Sequence, residues 1–504
     1  MSGRREQLGG STERAAAGPR HSQRLRCTAQ PLGLSMILSS LFSRPATLGF
    51  AAVLAFCLTP SAQAGLTWEP YLLTPRGQAE VIAQRAQLTV PLRHAKPDGA
   101  TITLRVVRLP AVQRRPGASP VVYLAGGPGG SGVAAAQGQR WPLFDAVRRE
   151  RDVILLDQRG TGASSPPPDC PHKVQFDESR AQDKNHAQSL AAFKQTAARC
   201  VAHWRALGLD PDAYNSVESA ADLRALQTAL EADALSLWGM SYGTHLAFAA
   251  LKQPGLKIDR LLLMGSEGPD HTLKLPLDAD ALLERVAAAS GTPDMVERLR
   301  RRIDATRRAP LSANKPVPMV ISAFDLQVVV TVMLARHQTA MLIPSVVSEL
   351  EAGRADIVAQ ILARVAQGST SISLMPLAMD VASGASASRL ATVKAQEAKS
   401  VLGAALNFPY PQIGDGLGIT DLGDAFRSDP RSDRPTQFVS GVFDGRTPVS
   451  NVTALEGGFT QRGHWVIDAA GHDDELWLTS PELPELIVRF FNGAAPTDRR
   501  LAPR

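Results

Sequence analysis

The chain has 504 residues, of which 44% are hydrophobic and 20% charged, a composition typical of a globular protein with a sizeable core. Its formal net charge is +6, but residues 1–64 hold seven Arg against two Glu and account for +5 of it. The rest of the chain therefore carries only +1 and has no basic stripe, which argues against nucleic-acid binding driven by electrostatics.

The N-terminal region has the pattern of a secretory signal peptide. An apolar run from Leu48 to Leu58 follows Arg44 and precedes Ala62-Gln63-Ala64, a small-residue cleavage pattern. Because the run is short for a membrane span, we expect cleavage after Ala64. The protein would then be exported, periplasmic or secreted, with no stable membrane insertion. An uncleaved anchor is the alternative, and Met1 and Met36 are both candidate starts.

Cleavage of the signal would leave two cysteines, Cys170 and Cys200. An even pair in an exported protein predicts a disulfide, and two isolated thiols are the alternative. Neither cysteine has the spacing of a metal site, and the chain has no H-E-x-x-H pattern. We therefore expect no metal and no cofactor.

The first part of the mature chain predicts a sheet whose strands alternate with helices. Polar and apolar residues alternate on both sides of the Pro97-Asp98-Gly99 turn, which predicts an antiparallel hairpin. Four short apolar runs further on are typical of buried strands. Such alternation predicts the α/β class with a mostly parallel sheet. The strands are predicted at 86–92, 101–109, 121–125, 152–157, 235–238 and 258–265, and the helices at 190–207 and 217–230.

Between Pro269 and Asp433 the pattern is mainly helical, and the strand pattern resumes at 436–441 and 465–469 before a closing helix at 481–491. Helices inserted between two sheet strands predict a cap over the site. The sequence divides accordingly into residues 1–64 (extension and signal peptide), 65–268 (first part of the core), 269–433 (helical cap) and 434–504 (second part of the core). The helical patches within the cap are 281–289, 294–308, 325–338, 345–351, 356–367 and 388–402.

A G-x-S-x-G motif, Gly239-Met240-Ser241-Tyr242-Gly243, lies between a predicted strand and a predicted helix. This context is that of a nucleophile elbow, a strained turn that exposes a serine hydroxyl at the top of a sheet. The glycines are expected because side chains there would collide with neighbouring backbone. We interpret Ser241 as a nucleophile, and a chance match to this loose pattern is the alternative.

A serine nucleophile needs a base and an orienting acid, which follow it in the order Asp or Glu, then His. Asp444 and His472 each lie just beyond a predicted strand, at the edge where open α/β sheets place their sites. We predict that His472 takes the proton of Ser241 and that Asp444 orients the imidazole. His464 lies at the start of its strand, and Asp433, Asp473 and Asp474 are in less suitable positions, so we expect them to be structural.

A glycine-rich loop, residues 126–132, follows the strand at 121–125. Its spacing fits neither a dinucleotide-binding nor a P-loop motif. We interpret it as an oxyanion-hole loop, with the backbone N–H groups of Gly127 and Tyr242 as donors; a flexible turn is the alternative.

Together these segments, with Asp157-Gln158-Arg159-Gly160-Thr161-Gly162 and Asp444-Gly445-Arg446-Thr447-Pro448, resemble the α/β-hydrolase family of proline iminopeptidases and secreted tripeptidyl aminopeptidases. The resemblance covers roughly residues 88–472 apart from the cap. It implies an α/β-hydrolase fold and a serine hydrolase that releases residues from free peptide N-termini through an acyl-enzyme. It further implies acidic side chains that hold the substrate ammonium, for which Glu267 is the first candidate, followed by Asp270 and Asp380.

Two other functions remain open. An esterase or lipase-like carboxylic-ester hydrolase would need an apolar acyl pocket and no acidic anchor. A non-catalytic binding protein of the same fold is a third class, which the presence of serine, aspartate and histidine disfavours. The expected partner is a peptide or a small acyl substrate.

Overall fold

A computed structural model of the protein describes residues 65–174, 186–316 and 318–504. The predicted signal peptide and the two candidate starts lie outside these residues.

Ten strands form one sheet in the order β1-β2-β3-β5-β4-β6-β7-β10-β11-β12, and β8 and β9 form a separate two-stranded sheet. The strands β1 to β3 are antiparallel, and the strands from β5 to β12 in this order are parallel. The bounds are β1 Glu69–Leu73, β2 Val81–Pro91, β3 Thr101–Leu109, β4 Val121–Leu124, β5 Val153–Leu156, β6 Leu235–Met240, β7 Ile258–Met264, β8 Leu311–Ala313, β9 Met319–Ile321, β10 Thr436–Gly441, β11 Arg462–Ile467 and β12 Arg499–Leu501.

Helices connect these strands and pack against both faces of the sheet. The bounds are α1 Gly132–Gln137, α2 Trp141–Arg148, α3 His186–Ala206, α4 Ser216–Ala229, α5 Tyr242–Leu251, α6 Pro276–Ala289, α7 Met295–Arg308, α8 Ala323–Met333, α9 His337–Ala340, α10 Ile343–Glu351, α11 Asp356–Ser369, α12 Leu374–Ser383, α13 Ala387–Glu397, α14 Gly423–Arg427, α15 Val449–Leu455, α16 Glu475–Leu478 and α17 Leu483–Phe491. Short 3₁₀ turns lie at Pro211–Ala213, Gly403–Leu406, Gln412–Gly414 and Glu456–Gly458.

The central strands are apolar because helices cover both faces of the sheet. Every residue of β4, β5 and β6 is buried, as expected for parallel strands between two helical layers. One apolar cluster lies on each face, and stacked Trp238 and Trp477 belong to one of them, with ring centroids 5.0 Å apart. In contrast, β2 alternates between buried and exposed residues, because one of its faces meets solvent.

The chain between β7 and β10 is mainly helical and has a third apolar cluster, built on α6, α7, α8 and α10. The predicted fold class, a mostly parallel sheet with helices inserted between two of its strands, is confirmed. The boundaries proposed for the cap stay a prediction.

Several elements differ from the sequence-based expectation. An additional strand, β1, lies outside the predicted hairpin, and β12 pairs with β11. Inside the predicted cap, the pair β8–β9 and the helix α12 were not expected. The helix α12 carries Asp380, one of the candidate acidic residues.

Candidate active site

Ser241 occupies a strained turn between β6 and α5. Its backbone has φ 55° and ψ −125°, outside the regions that a non-glycine residue prefers. A Cβ at position 239 would lie 2.7 Å from the carbonyl oxygen of Gly243, and one at position 243 would collide with the carbonyl oxygen of Leu124. The two glycines of the motif are therefore needed for the turn to close against β4.

The hydroxyl of Ser241 is the first member of a hydrogen-bonded chain. Its Oγ lies 3.0 Å from Nε2 of His472, and Nδ1 of the same imidazole lies 2.8 Å from Oδ2 of Asp444. His472 and Asp444 are buried, at 5% and 2% exposure. The structure thus brings the three predicted residues together from the ends of β6, β10 and β11, in the arrangement in which a histidine accepts a serine proton.

Asp444 is held in its ionised form by hydrogen bonds. Its Oδ1 accepts from the backbone N–H groups of Arg446 and Thr447, both at 2.8 Å, and its Oδ2 accepts from the Thr447 hydroxyl at 2.8 Å. Burial by itself would raise the pKa of Asp444, but the neighbouring His472 and these donors hold that pKa below its ordinary value. The carboxylate is therefore available to stabilise a charged imidazolium.

The glycine-rich loop lies against the serine. A Cβ at position 126 would be 2.8 Å from Cβ of Ser241 and 2.7 Å from the carbonyl oxygen of Met240, so only glycine fits there. Tyr242 is the first residue of α5, where backbone N–H groups have no acceptor within the helix. Gly127 and Tyr242 thus lie on the two segments that meet at Ser241, as an oxyanion hole requires.

The loop is fixed by the segment that follows β5. Oδ1 of Asp157 accepts hydrogen bonds from the hydroxyl of Ser131 at 2.5 Å and from the N–H of Val133 at 3.2 Å. The side chain of Gln158 donates to the carbonyl oxygen of Ala125 at 2.9 Å. Both ends of the glycine-rich loop are therefore anchored to one rigid segment.

A cleft of about 750 Å³ opens above Ser241 and His472. It contains Glu267, which lies 2.9 Å from the ammonium of Lys274. Burial would raise the pKa of Glu267, but the charge and the hydrogen bond of Lys274 hold that pKa below its ordinary value. Glu267 is therefore a carboxylate in the cleft whose charge is balanced by a lysine.

Asp380 of α12 lines the same cleft and is hydrogen-bonded by Tyr410. Burial and the nearby carboxylate of Glu267 raise the pKa of Asp380 to about 7, against the opposing charge of Lys274. Two of the three acidic residues proposed from the sequence, Glu267 and Asp380, thus line the cleft that contains Ser241.

The third acidic residue, Asp270, is not among the described residues that line the cleft. Its carboxylate accepts from the backbone N–H of Ser386 at 2.7 Å and from the hydroxyl of Ser386 at 2.6 Å, at the start of α13. The contacts of Asp270 are those of a residue that fixes a helix N-terminus rather than of a substrate ligand.

The other polar candidates of the sequence make ion pairs or hydrogen bonds within the protein, and two of them, Asp473 and Asp474, also line the cleft. His464 lies 2.9 Å from the hydroxyl of Ser440, and burial lowers the pKa of His464 to about 4. Asp474 accepts from Nε of Arg140 at 2.7 Å, and Asp473 lies 3.8 Å from the same guanidinium. Arg140 also stacks on Trp477 and lines the cleft, a role that the sequence did not indicate.

Cys170 and Cys200 form the expected disulfide, with Cα atoms 5.4 Å apart. Across residues 65–174, 186–316 and 318–504 there is no group of three or more His, Cys, Asp or Glu side chains that could hold a metal ion. The helices within these ranges include none with the length and apolar character that crossing a bilayer requires.

The comparisons with known proteins agree with the geometry. The family model of the α/β hydrolase fold matches residues 119–319. Serine protease Hip1 of Mycobacterium tuberculosis (strain H37Rv) is 30% identical over 201 residues, which are 38% of this chain and 37% of that protein. Tripeptidyl aminopeptidase of Streptomyces lividans is 26% identical over 233 residues, covering 45% and 40%. Carboxylesterase B of M. tuberculosis (strain H37Rv) is 33% identical over 96 residues, covering 19% and 18%.

The fold is the α/β-hydrolase fold, the site has a serine, a histidine and an aspartate in hydrogen-bonding order, and the resemblance predicted from the motifs is confirmed. Among proteins of this fold, the chain is similar to a serine protease and to a tripeptidyl aminopeptidase. The match spans only 37% of the length of the serine protease. Solved structures resemble it at TM-scores of 0.34–0.37 and 12–17% identity.

Proposed function

We propose that the protein is an exported serine hydrolase that removes residues from free peptide N-termini. The observation that carries this proposal is the pair of carboxylates, Glu267 and Asp380, in the cleft that also contains Ser241 and His472. An ester substrate has no group that needs them, whereas a peptide with a free N-terminus carries an ammonium. The similarity to proteins named serine protease and tripeptidyl aminopeptidase supports the same substrate class.

The proposed reaction proceeds through an acyl-enzyme. His472 accepts the proton of Ser241 while Oγ attacks the carbonyl carbon, and the oxygen that becomes negative is stabilised by the N–H groups of Gly127 and Tyr242. The protonated imidazole then gives its proton to the leaving amine as the C–N bond breaks. Water repeats the sequence to release the acyl part, with Asp444 stabilising the imidazolium in both halves.

In this proposal the two carboxylates have unequal roles. Glu267 already has an ammonium partner in Lys274, at 2.9 Å. The hydrogen-bond partner of Asp380 is the neutral Tyr410. A substrate ammonium would therefore stabilise the ionised form of Asp380 more than that of Glu267. We therefore assign the direct contact to Asp380 and assign to Glu267 a contribution to the local negative potential.

Export is supported by the disulfide between Cys170 and Cys200 and by the signal pattern before residue 65. Disulfides persist mainly in oxidising compartments, which fits a periplasmic or secreted protein.

A carboxylic-ester hydrolase is the second candidate. It is favoured by the apolar side chains of Val332, Leu406 and Phe408 in the cleft, which would suit an acyl chain, and by the short match to a protein named carboxylesterase B.

The test compares purified residues 65–504 with the Ser241→Ala and Asp380→Asn variants. Each receives peptide amides with a free N-terminus, the same peptides N-acetylated, and short acyl esters. Cleavage of the free peptides but not of their acetylated forms is the expected result, with no turnover by the Ser241 variant and a raised KM in the Asp380 variant. Equal cleavage of free and acetylated peptides would contradict the proposed contact with the substrate ammonium. Turnover of esters alone would favour the carboxylic-ester hydrolase.

A further inference from the structure

The side chain of Glu475 joins the loop that carries His472 to the inserted helical segment, beside an ion pair of 3.7 Å between Asp473 and Arg336. Glu475 begins α16, three positions after the histidine. Its Oε2 accepts hydrogen bonds from the backbone N–H of Gly471 at 2.6 Å and from that of His337 at 2.7 Å, and its Oε1 accepts from the N–H of Gln338 at 3.2 Å. One carboxylate thus bridges the residue before His472 and the first turn of α9.

The backbone of the histidine loop meets the same segment directly. The N–H of His472 donates to the carbonyl oxygen of Ala335 at 2.9 Å. A Cβ at position 471 would lie 2.5 Å from the N–H nitrogen of His337 and 2.5 Å from Oε2 of Glu475, so Gly471 permits this approach. The loop that carries Asp444 approaches the same inserted segment equally closely, since a Cβ at position 445 would lie 2.5 Å from the carbonyl oxygen of Leu334.

The segment 334–338 therefore forms part of the support of the histidine and of the acid. Two of the three hydrogen bonds of Glu475 also satisfy N–H groups of the first turn of α9, which have no acceptor within that helix. Hydrogen bonds from backbone N–H to a carboxylate are charge-assisted and roughly twice as strong as neutral ones. Removing Glu475 leaves three N–H groups without their acceptor, that of Gly471 in the histidine loop and those of His337 and Gln338 in the inserted segment.

We propose that Glu475 is a positioning residue for His472, which fixes the imidazole toward Ser241 by tying its loop to residues 335–338. This inference rests on the proposed role of His472 as base and acid. A displaced imidazole would transfer protons less well, and misplacement of a reacting group by about 1 Å can cost about 100-fold in rate. The loss should be largest where the leaving group depends most on protonation by His472.

The test uses a series of acetate esters of phenols of decreasing acidity, with kcat/KM as the readout because it reports acylation. In this step the bond from Oγ of Ser241 to the acyl carbon forms and the ester bond breaks. The proton passes through Nε2 of His472 to the departing phenolate. For Glu475→Ala we expect about a tenfold loss with the most acidic phenol and about a 100-fold loss with the least acidic one. Glu475→Gln, which keeps one acceptor oxygen, should fall between this variant and the parent.

The matched control is Glu482→Ala, because Glu482 is an exposed carboxylate nearby in the chain that pairs with Arg499 at 3.2 Å. It should leave all rates unchanged. Rates are expressed per active site, titrated with a fluorophosphonate, so that a partly folded Glu475→Ala preparation does not imitate a catalytic defect. If that variant does not fold, Glu475→Gln carries the test.

Three outcomes would overturn the proposal while the parent enzyme remains active. These are unchanged rates in both Glu475 variants, a loss of the same size for every phenol, and an equal loss in Glu482→Ala. A parent protein that turns over neither esters nor peptides would instead contradict the proposed function, and this inference with it.

Discussion

Replacing Asp380 with Asn is expected to stabilise the protein at high pH and to weaken peptide binding. Burial and the carboxylate of Glu267 raise the pKa of Asp380 from its ordinary 3.8 to about 7. The folded state binds the proton of this carboxyl more tightly than the unfolded chain does. The carboxyl therefore does not lower the free energy of unfolding below about pH 4. It lowers that free energy progressively as the pH rises to about 7, and by a constant amount above pH 7.

The size of the effect follows from the two pKa values. A difference of about 3 in pKa corresponds to about 4 kcal/mol, which is an upper figure because the carboxyl faces the cleft and is partly hydrated. Asparagine is uncharged at every pH and can still accept a hydrogen bond from Tyr410. We expect the free energy of unfolding of Asp380→Asn to match the parent near pH 4 and to exceed it by about 1–4 kcal/mol at pH 8.

The assay is urea unfolding at both pH values, together with KM for a peptide with a free N-terminus at pH 8. The variant should show a KM raised about tenfold, the cost of one lost ion pair of about 1.4 kcal/mol. Asp433→Asn, at an exposed carboxylate of 79% side-chain exposure, serves as the control and should change neither quantity. A variant that is less stable than the parent at pH 8 would contradict the cost of the buried carboxylate, and one with an unchanged KM would contradict the contact of Asp380 with the substrate ammonium.

Three further substitutions test other parts of the structure. Gly243→Ala should give almost no folded, active protein, because the Cβ of the alanine would collide with the carbonyl oxygen of Leu124. A variant that is folded by circular dichroism and has normal turnover would contradict the close approach at the elbow. Cys200→Ser should lower the free energy of unfolding by about 3–4 kcal/mol, since the disulfide closes a loop with a sequence separation of 30; equal urea midpoints for variant and parent would speak against this. Lys274→Met removes the cation beside Glu267 and should lower KM for free peptides, whereas a raised KM would assign Lys274 to substrate binding.

The parts of the site that follow a local pattern could be predicted from the sequence. The strand–serine–helix junction at Ser241 is local, and Asp444 and His472 follow strands whose apolar runs are evident. Parallel strands have their carboxyl ends at one edge of the sheet. The positions of these residues after their strands were therefore enough to predict that they lie close together.

The parts that depend on distant contacts could not be predicted. Helix α12 contains Pro376 and only ten residues, so its pattern is weak, and it is stabilised by packing against the core of the sheet. The contact of Glu475 with His337 joins residues 138 positions apart and has no local signal. The contact of Asp270 with Ser386 likewise joins residues 116 positions apart and has no local signal.

The role of Ser241 is tested most directly by labelling with a fluorophosphonate, followed by mass spectrometry of the intact protein and of its peptides. We expect one adduct per chain, located on Ser241, absent from Ser241→Ala and formed at least about 100-fold more slowly in His472→Ala. An adduct at another residue, or an unchanged rate without the histidine, would contradict the assignment of Ser241 as a nucleophile activated by His472.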